Sequence, residues 1–484
     1  KNPGDEKDSG NEPDKQDLSG IAVDETNFPD ASFLNYISSN CDTDGDGFLS
    51  DGEIRAVTRI DVSQSFVKTL KGIEYFTSLT ELYCGDTDLT ELDLRACTKL
   101  THLDCYYSLM TSLDVSTCTE LTYLDFGANR LTELNLSACT KLEWLNLYRN
   151  QLKKLDVSRC PKLTYLNCSN NELSELNING CMGLKTLFCQ NNDLSTLDVS
   201  GRTELTLLDC SENNLSELNI NGCMKLTEVD CYENQLTGLD VSGRAGLTDL
   251  NCKDNKLVRL NVDGCPELVY LHCPQNQLAK LDVGSCKKLE VLSCCENQFT
   301  ELDASGCAAL NCLDCDDNNL AVLHLNGCTG LTWLYCRRNK LRELDITDCP
   351  NLLDAVIKGE SCGKEDGTAQ FLLGDSSGLF IDQETDLILF KENITDLLLS
   401  KNTFTYTGAA IRPAVTVKAD DVILKAGTDY TVSYSRNTNA GTATVTVTGK
   451  GKYTGTLRKT FTIKKANNAV TAKDITKTTA GTAQ

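Results

Sequence analysis

Residues 42–53, DTDGDGFLSDGE, place oxygen-bearing side chains at positions 1, 3, 5, 9 and 12 of a twelve-residue loop, with glycine at position 6. Hard divalent cations of calcium's size select that pattern, because they need six or more oxygens around a sharply turned backbone. Asp42, Asp44 and Asp46 offer carboxylates, Phe48 its carbonyl, Ser50 a direct or water-mediated contact, and Glu53 a bidentate closure. The flanks agree: Phe33, Leu34 and Ile37 have helical spacing within 29–40, and Ser50 with Glu53 forms a capping box for a following helix. A calcium sensor pairs two such loops, whereas this chain shows one, so the expected role is a structural calcium site that clamps an N-terminal cap. Other chemistry is sparse. The three histidines, His102, His272 and His324, have no nucleophile and orienting carboxylate in register, so a non-catalytic protein is expected.

The elements that carry these residues follow from a strict period. LTELYCGDTDLTELDLRACTK (79–99) is followed by LTHLDCYYSLMTSLDVSTCTE (100–120), and the register holds to about Cys349. Thirteen turns of 21 residues occupy 79–351, with the skeleton L-x-x-L-x-C-x-x-N-x-L-x-x-L-D-V-S-x-C-x-x. One such turn cannot bury its own apolar face, so the turns must stack into a solenoid, roughly 60 Å long at strand spacing. Of the 26 cysteines, 22 fall into two columns, one from Cys84 to Cys336 and the other from Cys97 to Cys349. Phe126 and Leu147 replace cysteine in the first column, which marks it as interior. Stacked identical side chains point the same way, so buried free thiols are expected rather than disulfides, and the spacing does not suit a metal. Asparagine fills its own column from Asn129 to Asn339, with Thr87 and Ser108 in the first two turns. It is expected to satisfy loop amides.

With Leu82 and Cys84 inside, positions equivalent to 81, 83, 85 and 86 face outward on the concave sheet. Those columns contain 12 of the 14 aromatic residues of the repeats. Tyr83, Tyr106, Tyr107, Tyr123, Trp144, Tyr148, Tyr165 and Phe188 lie in the first six turns, with Trp333 and Tyr335 near the far end. Exposed Tyr and Trp give large contact area at low entropic cost, so these ten form the expected ligand-binding surface; a protein and a glycan both fit it. Aromatic residues also pair across exposed strands for purely structural reasons, but that alternative predicts an even spread. A second outward column alternates Asp and Asn from Asp93 to Asp282 and reads as a solvated ladder that avoids stacking like charges.

The repeat resembles the leucine-rich repeat pattern, with Leu163, Leu166 and Cys168 at its strand positions and Asn171 at its asparagine. FPDASFLNYISSNCDTDGDGFLSDGEI, leading into GIEYFTSLTELYC, resembles the EF-hand-like N-terminal cap of secreted leucine-rich repeat proteins of Gram-positive gut bacteria. The G-I-E-Y-F element is similar to the segment that leads into internalin repeats. AGTATVTVTGKGKYTGT resembles bacterial Ig-like stalk modules. These resemblances imply a secreted or cell-surface protein and do not specify a ligand.

The expected architecture is mainly β. A disordered linker covers 1–24, a helical cap with the calcium loop 25–78, and the leucine-rich repeat solenoid 79–351. A cap of short β-strands covers 352–392, an Ig-like β-sandwich 393–466, and a linker or truncated module 467–484. The net charge of −23 repels phosphate backbones, so nucleic acid is not an expected partner. No apolar run reaches about 18 residues, so no membrane span is expected. Starting at Lys1, the chain reads as processed, with an export signal as the expected lost leader. The expected function is non-catalytic adhesion or recognition of a host or bacterial surface protein or glycan, by a monomer outside the cell. The alternatives are a structural spacer or surface-layer element without a ligand, and a non-catalytic part of a longer enzyme.

Overall fold

The computed structural model describes residues 20–363, 368–372 and 377–466; residues 1–19 of the linker expected over 1–24, and the linker or truncated module expected over 467–484, lie outside them. Within the repeats the 21-residue period becomes one parallel strand per turn on the concave face, and nine of the thirteen turns add a second short strand on the other half, from Lys154–Asp156 to Glu343–Asp345. Thirteen three-residue strands, from Glu81–Tyr83 to Trp333–Tyr335, pair in register. The alternation works as the spacing requires: Leu82, Leu103, Leu124 and their successors are sealed, while their strand neighbours stay partly open. Phe126 and Phe299, the two aromatic residues on inward columns, are sealed as well.

Each strand ends in a corner that ordinary residues disfavour. From Asp86 to Arg338, thirteen non-glycine residues spaced by 21 have φ between 50° and 56°. A left-handed residue with a Cβ is strained, so something must hold it there. The neighbouring asparagine does so. Asn213 donates Nδ2 to the carbonyls of Cys189, Cys210 and Ser211 at 3.0–3.2 Å, and its Oδ1 accepts from Leu194 N at 3.0 Å. Thr87 and Ser108 replace it in the first two turns, where Thr87 Oγ1 donates to Cys84 O at 2.8 Å.

Both cysteine columns are buried free thiols. Second-column thiols donate to carbonyls 24 residues earlier, as Cys223 does to Val199 O at 3.0 Å. Burial pushes the Cys168 and Cys273 thiols up to about 12, which keeps them protonated. In that second column Arg202 and Arg244 stand where cysteine is otherwise found, and only 5% and 4% of their surface is exposed.

The ends depart from expectation in three places. Ile21–Ala22, inside the stretch expected to be disordered, pairs with Phe48–Leu49 of the acidic 42–53 loop. Arg59–Asp61 adds a parallel rung ahead of Glu81–Tyr83, so the sheet begins within the cap. After Cys349 the chain forms a helix, Pro350–Lys358, where only short strands were expected. Pro350 opens it, and Leu352 and Ala355 bury its inner face. Two antiparallel strands, Glu360–Gly363 and Thr368–Leu372, follow; then Gly378–Asp382 returns to pair parallel with Trp333–Tyr335. That insertion hides a last, off-period rung from a 21-residue reading.

The C-terminal strands form a three-stranded sheet, with Val415–Ala419 at its centre, and a four-stranded sheet. The latter runs in the order Thr403–Thr405, Thr456–Lys464, Gly441–Gly449, Tyr430–Ser435. Val417, Val445, Val447, Phe461 and Ile463 are buried between them.

Candidate functional site

Parallel strands in register stack the same position of every turn about 4.8 Å apart, so aromatic residues in one outward column must meet face to face. They do. His102 lies 3.9 Å from Tyr123, Tyr123 4.2 Å from Trp144, and Trp144 4.9 Å from Tyr165, with interplanar angles of 5–6°. Tyr83 extends the row beyond His102 at 4.8 Å, and Phe188 closes it edge-on at 6.0 Å from Tyr165. The Arg59 guanidinium lies 3.9 Å over Tyr83 and covers that end. These rings are half-buried, with their faces spent on one another and their edges outward. Burial raises the Tyr123 and Tyr165 phenols and lowers His102, which favours the neutral form of each of these three rings. His102 is the rung that reading by aromatic type alone leaves out.

Tyr106 and Tyr107 stand apart from the row, at the rim, and are 40% and 59% exposed. Tyr148 is half-buried on the same rim, with the Arg149 guanidinium 6.0 Å from its ring. Trp333 and Tyr335 form a second platform with Phe380 from the off-period rung, 4.4 Å from Tyr335. Arg337 faces Phe380 at 5.4 Å while its guanidinium is paired with the buried Asp316 at 2.6 Å. Nothing in the 21-residue pattern points to Phe380. Between the platforms the sheet is acidic. Burial, reinforced by Asp209 and Glu228, raises Asp230 to about 6, and burial raises Asp209 as well.

The residues of the expected calcium loop come together in part. Ligand oxygens of Asp42, Asp44 and Asp46 lie within 4.8 Å of one another, the one such grouping of three among the described residues. Asp42 also accepts from Gly45 N at 2.8 Å and Gly47 N at 3.1 Å, which orders the loop around it. The helices expected on either side are Ala31–Asn40 and Asp51–Ala56, and the Ser50–Glu53 capping box is formed. Phe48 lies in the strand paired with Ile21–Ala22. Glu53 differs from expectation, since its carboxylate is not grouped with the three aspartates. It accepts from Thr43 N and Oγ1 at 2.6 and 2.8 Å and from Ser50 N and Oγ at 2.9 Å each. Burial works to raise it, but those four donors outweigh burial and hold it at about 2. The three aspartates suit a hard cation; Glu53 would have to leave its donors to reach one.

The Asp/Asn column on the other half of each turn does more than space charges. Asp114, Asn135, Asp156 and Asp198 each accept from the backbone N–H two residues on, at 2.9–3.0 Å, and so close an Asx turn at each corner. The serine hydroxyl and amide there hold Asp156 and Asp198 below the usual carboxylate range.

No helix among the described residues is long and apolar enough to cross a membrane. A family model for leucine-rich repeats in two copies matches residues 140–181. No curated protein matches the chain in sequence. Among solved structures, the functional domain of InlJ from Listeria monocytogenes, which includes a cysteine ladder, is 24% identical with a TM-score of 0.55. The match covers 92% of this chain and 100% of that one. An internalin of the same organism, InlF, is 21% identical with a TM-score of 0.53 over 69% of this chain and 95% of that one. The chain is therefore a leucine-rich repeat solenoid, with internalin structures among those it resembles in fold.

Proposed function

We propose that the protein acts outside the cell as a non-catalytic recognition protein whose concave sheet docks a surface protein, with Tyr83, Tyr123, Trp144, Tyr165 and Phe188 at the centre. Tyr106, Tyr107 and Tyr148 form its rim, and Trp333 and Tyr335 a second anchor. The observation that carries this is the unbroken outward row from Tyr83 to Phe188. Rings locked by their neighbours are already ordered, so a partner that contacts their edges spends little entropy in fixing them. The same stacking favours a protein over a glycan, since a sugar that stacks on an aromatic ring needs a free face. The resemblance of the cap to those of secreted leucine-rich repeat proteins supports placement outside the cell, and that of the C-terminal strands to Ig-like modules supports a stalk. We also propose that calcium, held by Asp42, Asp44 and Asp46 with Phe48, Ser50 and Glu53 completing the shell, stiffens the cap on which the first rung is built.

The test is a panel of immobilised host-surface proteins and glycans, probed with the wild type and with Trp144→Ala/Tyr165→Ala. Binding to a protein that drops at least about tenfold in the double variant supports the reading, a loss appropriate to two aromatic anchors. Wild-type binding to nothing on the panel favours the spacer, and unchanged binding by the variant moves the site off this face.

A further inference from the structure

Three Asn-Gly pairs lie at corners of the solenoid: Asn179–Gly180, Asn221–Gly222 and Asn326–Gly327, with all three asparagines exposed. In such a pair the glycine nitrogen can attack the asparagine side-chain carboxamide, because glycine has no Cβ in the way. The N–Cγ bond forms, the Cγ–Nδ2 bond breaks, and the glycine N–H proton leaves with the nitrogen as ammonia. Water then opens the cyclic imide to aspartate or isoaspartate. The peptide plane between the two residues must first rotate to aim its nitrogen at Cγ, so the hydrogen bonds that pin this plane set the rate.

The three planes are pinned to different degrees. The Asn326–Gly327 peptide is held at both ends, since Gly306 N donates to Asn326 O at 2.7 Å and Gly327 N donates to Asp348 Oδ2 at 3.1 Å. The Asn221–Gly222 peptide is held at one end, by Gly201 N donating to Asn221 O at 2.8 Å. The Asn179–Gly180 peptide has no such bond at either end among the described residues. The reason lies one turn earlier. The donors Gly201 and Gly306 have φ of 74° and 78°, while the residue in that place before Asn179 is Arg159, which lacks a positive φ. Gly180 itself has φ 97°, and a Cβ there would come within 2.6 Å of Ser158 O, so the fold requires this glycine.

A second observation concerns the product. Arg202 is 5% exposed and donates to Ser200 O at 2.6 Å and Ile178 O at 3.2 Å; Asp198 feels its charge, but it makes no direct ion pair among the described residues and leaves its Nε without a partner. A buried guanidinium without a counter-ion is costly. Its Nη2 lies 3.5 Å from Asn179 Oδ1. A carboxylate at residue 179 would supply a counter-ion in direct contact, which the more distant Asp198 does not.

We propose that Asn179 is a self-modification site, which deamidates ahead of the other two Asn-Gly pairs to an acid that pairs with Arg202. The test is to age the full chain, folded, at mildly alkaline pH and to follow each site by peptide mass mapping that separates aspartate from isoaspartate. Each hydrogen bond that must break slows attack by about fivefold. The order Asn179, then Asn221, then Asn326 is therefore expected, with Asn326 more than about tenfold slower than Asn179. Equal rates at the three sites would overturn the proposal. So would no conversion at Asn179 while a free peptide of the same sequence converts. For the product, Asn179→Asp should raise the melting temperature by about 2 °C. That gain should vanish in an Arg202→Cys background, which restores the residue of the neighbouring turns; an equal effect in both backgrounds, or no gain, would remove Arg202 from the account.

Discussion

Asn213 holds a left-handed corner with four hydrogen bonds, none of which water can replace while the side chain is buried. Asn213→Ala leaves the Leu194 amide without a partner and takes one of two donors from the carbonyls of Cys189, Cys210 and Ser211, which keep Asn192 Nδ2, Asn234 Nδ2 and Asn191 N; it is expected to cost about 1–3 kcal/mol in urea unfolding. The asparagine column could be read from spacing because a buried amide at every twenty-first residue has few other uses. The strained residue just before it could not, because Asp, Tyr, Ala, Arg, Asn, Glu and Gln all occupy that place. Asp125 shows the opposite sign of effect. Burial, with a smaller contribution from Asp104, raises its carboxyl from 3.8 to about 6 although Gly127 N and Asn146 Nδ2 both donate to it. The folded protein therefore binds this proton more tightly than the unfolded chain. Its stabilising contribution is complete below about pH 4 and lost as pH rises through about 6. Asp125→Asn keeps the Oδ1 acceptor and is expected to gain about 1–2 kcal/mol at pH 7 and nothing near pH 4, by urea unfolding at both pH values.

Among the elements, the two ends of the solenoid differ in how well they could be read. The helix Ala31–Asn40 and the capping box at Ser50 follow from local spacing, and both are present. The strand Ile21–Ala22 does not, since two residues carry no period; it forms because Phe48–Leu49 presents an open edge in the acidic 42–53 loop. At the far end the helix Pro350–Lys358 begins just as the repeat stops, and the rung at Gly378 falls 45 residues after Trp333 instead of 21. A strictly periodic reading ends at that point. If calcium binds the N-terminal loop, its addition should raise the melting temperature, by about 2.7 kcal/mol of stability at ~100 times the Kd. Asp44→Ala should abolish that gain; melting curves that do not respond to calcium or chelator would contradict the calcium assignment.

For the molecule as a whole, repetition makes the interior legible and the function only partly so. Two cysteine columns recurring at 21 residues can only be interior rungs, and among the described residues only Cys295 and Cys312 are less than buried. Among the described cysteines a maleimide should therefore label these two before the sealed ones, slowly because burial raises both thiols, and the sealed ones only as denaturant opens the stack; labelling of Cys210 or Cys231 ahead of these two would contradict the sealed core. The outward face could be read as aromatic, but not as a closed stack, because in-register pairing is a property of assembled strands. His102 and Phe380 join the platforms for the same reason.

The proposed docking surface requires Trp144 to stand in the outward row, half-covered by Tyr123 and Tyr165. Acrylamide quenching of its fluorescence in a Trp333→Phe variant measures this directly. The structure predicts an indole that is partly quenched in the native state and more exposed when Tyr165→Ala removes one covering ring. A blue-shifted emission that acrylamide does not reach, unchanged by Tyr165→Ala, would place Trp144 in the sealed interior and remove the proposed docking surface.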